Sequence, residues 1–104
     1  MPTNFERVLQ RANAAFQAGE KQHAERLYKS ILRAQPKHAD ANHNLGLLAI
    51  SANEAKVALP LFEAAVEANP AVDQFWFSYI NALVQVREYG KAGLVIEKAK
   101  LGGG

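Results

Sequence analysis

Residues 42–70 read NHNLGLLAISANEAKVALPLFEAAVEANP. Leu45, Leu48 and Ala49 recur at helical spacing, and Ala58, Leu61, Phe62 and Ala65 do so again, which predicts two amphipathic helices. The polar stretch Ser51-Ala52-Asn53-Glu54 parts them as a turn. Asn69-Pro70 closes the second helix, because the residue before a proline is pushed out of helical geometry. Pro60 is expected within about one turn of that helix's start, where a missing N–H matters least.

A step of 34 residues in either direction finds the same pattern again. Gln35-Pro36 stands 34 residues before Asn69-Pro70. Ala24, Ala58 and Ala92 fall in register, as do Tyr28, Phe62 and Ile96, and Leu27, Leu61 and Val95. Ala12 and Gly46 match as small residues, with Ile80 departing. Small side chains let the two helices of one hairpin approach closely, and Tyr28 and Phe62 are then expected to fill the space between neighbouring hairpins. Each hairpin alone leaves an apolar face bare, and stacking buries it. Thr3 with Glu6 forms the sequence of a capping box, so the first helix is predicted to begin near Asn4. Gly19 supplies the left-handed residue that ends it. The reading is a single all-α domain of three helix hairpins, at about residues 5–38, 39–72 and 73–101, with 102–104 as a flexible tail.

This pattern resembles the tetratricopeptide repeat family, whose units run Trp-x2-Leu-Gly-x2-Tyr, then Ala-x3-Phe, then Pro. The second unit gives Asn42-x2-Leu45-Gly46-x2-Ala49, Ala58-x3-Phe62 and Pro70. The third keeps Trp76 but has Tyr79-Ile80 for Leu-Gly, and the first is strongest in Ala24-x3-Tyr28 and Pro36. The resemblance covers about residues 5–101 and implies a right-handed α-α superhelix. It also implies a capping helix after the last hairpin, which this sequence does not supply; the third unit instead carries Gly90 and Gly93 and runs out in Gly102-Gly103-Gly104. Two explanations stand side by side. The chain is a fragment whose next element covers that face, or Leu94, Val95 and Ile96 pair with a second copy in a homodimer. Residues 73–83, DQFWFSYINAL, resemble repeats that precede glycosyltransferase or sulfotransferase domains in some bacterial proteins, which favours the fragment.

The totals narrow the function. A chain of 104 residues supports one modest core, burying roughly two-thirds of the surface its unfolded form exposes. The absence of cysteine removes disulfides, thiolate catalysis and cysteine-ligated metal centres. A net charge of +2 gives no general attraction for polyanions. The first residues hold no signal-peptide apolar run, and residues 71–86 are too interrupted by polar side chains to span a bilayer, so a cytoplasmic protein is expected. Glu25 stands four residues before Lys29 and makes the stripe Arg26, Lys29 and Arg33 read as a solvated helix face, not a phosphate-binding one.

In the family the first helix of each hairpin lines a concave groove that takes extended or helical peptides. The positions carried over are Leu9, Gln10 and Asn13, then His43, Asn44 and Leu47, then Phe77, Ser78 and Asn81. The set is rich in amides, which offer a peptide backbone both a donor and an acceptor whatever its side chains. Leu9, Leu47 and Phe77 would add apolar grip. The family's carboxylate clamp needs two lysines, two asparagines and an arginine; here Leu9, Asn13, Asn44, Gln74 and Ser78 stand there, so the cations are missing and the clamp is rejected. The asparagine ladder of O-linked N-acetylglucosamine transferases is matched only at Asn44, with Gln10 and Ser78 as its equivalents. His38-x-Asp40-x2-His43 straddles a turn and lacks a third ligand, so no metal is expected. No nucleophile has a base at motif spacing and no phosphate loop is present. The expectation is therefore a protein-binding module that uses no cofactor, nucleic acid or membrane and carries out no catalysis.

Overall fold

The computed structural model describes residues 3–103 as six α-helices and one closing turn. The helices are α1 (Asn4–Gln17), α2 (Lys21–Ala34), α3 (Ala39–Ser51), α4 (Ala55–Ala68), α5 (Asp73–Gln85) and α6 (Tyr89–Lys98), followed by a π-helical turn, Ala99–Gly103. They pair as three hairpins, α1–α2, α3–α4 and α5–α6, and each hairpin rests on the next through its neighbouring helix. The stack is elongated, 43 × 28 × 21 Å. Gly104 lies outside the described residues.

The 34-residue register is written into the backbone. Each hairpin turns through one left-handed residue, Gly19, Asn53 and Arg87, with φ of 79°, 64° and 64°. Each turn closes with the N–H of the next residue donating back across it: Glu20 to the Ala15 carbonyl at 2.9 Å, Glu54 to Ala49 at 2.8 Å, and Glu88 to Leu83 at 2.9 Å. This bond satisfies carbonyls that a helix end otherwise leaves unpaired. Between hairpins, Gln35 and Asn69 leave helical geometry ahead of their prolines while their N–H groups still reach Ile31 and Ala65. The side chain following each proline by six residues then returns to it. Asn42 Nδ2 donates to the Pro36 carbonyl at 3.0 Å and Trp76 Nε1 donates to the Pro70 carbonyl at 2.8 Å.

Helix starts behave less uniformly. Thr3 Oγ1 accepts the Glu6 N–H at 3.0 Å, as the capping-box sequence predicts. His38 caps α3 in the same way, its Nδ1 accepting the Ala41 N–H at 3.1 Å. Pro60 is the sixth residue of α4, deeper than expected, and the helix continues through it. Its missing N–H would have met the Lys56 carbonyl, and both residues are exposed, so water can serve that carbonyl instead.

The core divides in two. One cluster joins α1, α2 and α3 around Tyr28 and Ile31; the other joins α4, α5 and α6 around Phe62, Trp76 and Leu83. Tyr28 and Phe62 are fully buried. A Cβ built on Gly46 would lie 2.5 Å from Phe62 Cε1, so the ring occupies the very space a larger residue would need. Ile96, at the same register in the last hairpin, is 37% exposed.

Candidate functional site

The first helices α1, α3 and α5 carry the amide row. Its centre is a hydrogen-bonded chain across two hairpins: Tyr28 Oη donates to Asn13 Oδ1 at 2.6 Å, and Asn44 Nδ2 donates to Tyr28 Oη at 3.0 Å. Tyr28 itself is buried, and burial, then the nearby Asp40 carboxylate, raise its phenol above the ordinary value, with the Asn44 bond opposing. The hydroxyl therefore stays protonated and keeps its donor for Asn13. The tie occupies the oxygen of Asn13 and one N–H of Asn44. Both N–H groups of Asn13 and the second N–H of Asn44 are left over, and both amides are half-buried. Gln10 and Asn81 are exposed, while Leu9 and Leu47 are half-buried.

His43 and Ser78 correct the sequence expectation. Neither lies on an open surface: they are 5% and 7% exposed, and His43 Nε2 lies 2.7 Å from Ser78 Oγ. The imidazole sits between Phe62 and Phe75, with ring centroids 5.5 and 4.8 Å away. Gln74 Nε2 donates to the same Ser78 oxygen at 3.4 Å. These side chains join hairpin two to hairpin three and are spent on each other. Burial pushes the His43 imidazole below its ordinary value, opposed by a hydrogen bond with Asn44 and the charge of Asp40. His38 Nδ1 caps a helix and His43 faces Ser78; among the described residues no three His, Asp or Glu side chains gather as a metal-binding group.

The last hairpin also differs from expectation. Val95 is buried, 7% exposed, so it cannot pair with a second copy alongside Leu94 and Ile96. Leu94, 72% exposed, borders a cleft of about 430 Å³ between α4, α5 and α6. The cleft opens where α6, ten residues long against fourteen in α2 and α4, gives way to the π-helical turn. Its floor holds Val66, Trp76 and Tyr79, and it shares no residue with the amide row. Tyr79 Oη donates to Glu63 Oε2 at 3.0 Å; burial and then that carboxylate push the phenol well above its usual value. The sequence signalled the aromatic residues here but not the early end of α6 beside them.

A family model described as "Tetratricopeptide repeat" matches residues 9–69 and again residues 43–103. The chain belongs to the tetratricopeptide repeat family. No curated protein matches it. Among solved structures, this tetratricopeptide array is similar to MamA from AMB-1, with a TM-score of 0.81 at 17% identity. The likeness covers 95% of this chain and 54% of that one, so the array spans about half the length of MamA. At that identity the two share a fold, with the stacked hairpins superposing through nearly the whole array. No helix among the described residues is long and apolar enough to cross a membrane.

Proposed function

We propose that the array is a protein-interaction module that holds an extended peptide along the first helices of its hairpins. The observation that carries this reading is the Asn13–Tyr28–Asn44 chain. A buried hydroxyl fixes two amides from different hairpins in orientation, and the N–H groups left over are oriented before any ligand arrives. Such donors suit the carbonyls of a peptide backbone, so recognition would be tolerant of the peptide's side chains. Asn81 and Gln10 extend the row at either end, and Leu9 and Leu47 supply apolar contact between the amides. With His43 and Ser78 withdrawn into the joint between hairpins, the row is shorter than the sequence alone implies. The likeness of residues 73–83 to repeats ahead of glycosyltransferases and sulfotransferases gains no support from the family match or from MamA.

The test is a peptide array of mixed sequences probed with the intact chain and with Asn44→Ala. Binding that weakens in the variant while circular dichroism stays the same supports the reading. Equal binding by both, or no binding by either, removes it.

A further inference from the structure

The outer face of hairpin three can be read by translating the interface behind it through one repeat. In that interface His43 and Phe62 of hairpin two are 5% and 0% exposed, and Ile50 is half-buried against the cluster built with hairpin three. Thirty-four residues on stand Phe77, Val84 and Ile96, which are 63%, 45% and 37% exposed. Ile80 lies one turn from Phe77 and is half-buried, so α5 shows an apolar stripe Phe77, Ile80, Val84 at the i, i+3, i+7 spacing of a helix contact. The apolar face that hairpin two buries against hairpin three is thus repeated on hairpin three, where nothing among the described residues covers it.

We propose that this face pairs with the same face of a second copy, α5 against α5 about a two-fold axis, giving a closed dimer. The opposite end of the array argues against head-to-tail stacking. Phe75 and Tyr79, both 4% exposed where hairpin three meets hairpin two, correspond through two repeats to Arg7 and Arg11 of hairpin one. Seating two guanidinium groups on Phe77 and Val84 would strip both of water, with Asp73 the sole carboxylate lining the adjoining hollow to meet the pair. A two-fold pairing requires instead that one face contain both a projection and its receptacle. Phe77, 63% exposed, forms one wall of a hollow of about 200 Å³ that Asp73, Trp76, Ile80 and Ala99 also line. Cavities of about 150 Å³ accept benzene, so the hollow has room for the phenyl group of the partner.

Sedimentation equilibrium over a concentration series tests the pairing on the intact chain. The expected result is a monomer–dimer equilibrium with nothing larger. Phe77→Asp and Val84→Asp should each weaken the dimer by more than about tenfold with helicity unchanged. Leu94→Asp, on the α4–α6 cleft, should leave it as it was. A monomer at every concentration overturns the proposal, and so does a series of species that keeps growing beyond the dimer. A dimer that Leu94→Asp dissolves and Phe77→Asp does not would overturn it as well.

Discussion

Replacing Gly46 by alanine sets two effects of known size against each other. Within a helix, alanine is favoured over glycine by about 1 kcal/mol, because glycine loses more backbone freedom on folding. Against this, the new Cβ would lie 2.5, 2.8 and 3.0 Å from Cε1, Cδ1 and Cζ of Phe62. Carbon atoms rest about 3.5–4.0 Å apart, so the overlap is about 1 Å along one edge of the ring. Phe62 is fully buried and stacked near His43, which leaves the ring no solvent to swing into. Forcing atoms into such a core costs about 1–3 kcal/mol. The steric term should win, by up to about 2 kcal/mol, and at about 4–8 °C per kcal/mol the melting temperature should fall by several degrees. Gly93→Ala is the matched control, since nothing lies within 4 Å of its Cβ and only the propensity gain remains. It should raise the melting temperature while Gly46→Ala lowers it, as read by thermal circular dichroism at one concentration. If both raise it equally, Phe62 is not the rigid filler that this account requires.

Two further outcomes concern His43 and Arg87. Because burial holds the His43 imidazole below its ordinary 6.5, the unfolded chain takes up a proton there that the folded chain refuses. Stability from this site is complete above about pH 6.5 and declines as the pH falls below it; the urea midpoint should drop between pH 7.5 and 5, and His43→Gln should flatten that slope, whereas an unchanged slope would assign it to other groups. Arg87 holds the left-handed turn position that Gly19 occupies in the first hairpin, at φ of 64°. Relieving a conformation that costs a side chain about 1–2 kcal/mol, less the entropy glycine brings to the unfolded chain, Arg87→Gly should stabilise by up to about 1 kcal/mol in chemical denaturation. A loss of stability would mean that the arginine side chain makes contacts worth more than the strain.

The hairpins were legible because the evidence for them is periodic and local. Gln35-Pro36 and Asn69-Pro70 mark the helix ends through proline's own geometry, and the alanines at 24, 58 and 92 mark the close approach. Gly19 announced its turn, whereas Arg87 at the same register did not, since nothing in an arginine side chain signals a left-handed backbone. The amide row was legible in type but not in extent. His43 and Ser78 are polar residues on the first helices of two hairpins, and what withdraws them is the packing of one hairpin on the other, with Phe75 of α5 against the His43 ring, a tertiary event that their own sequence contexts do not contain. Leu94 and Val95 show the same limit, one exposed and its neighbour buried, because the division depends on where α6 lies against α4 and α5. The hydroxyl of Tyr28 was the clue left unused. A tyrosine standing in register with Phe62 carries one polar atom more into the core, and that atom needed a partner.

Each helix of the stack leans chiefly on the helix before it and the helix after it in sequence. No contact therefore waits on the meeting of distant ends, and the loop that must close before any two hairpins touch is no longer than one repeat. Assembly can start wherever a hairpin first forms and spread outward like a zip. The same geometry lets a lineage lengthen or shorten the array one hairpin at a time, with every joint already specified by the turn and proline on either side of it.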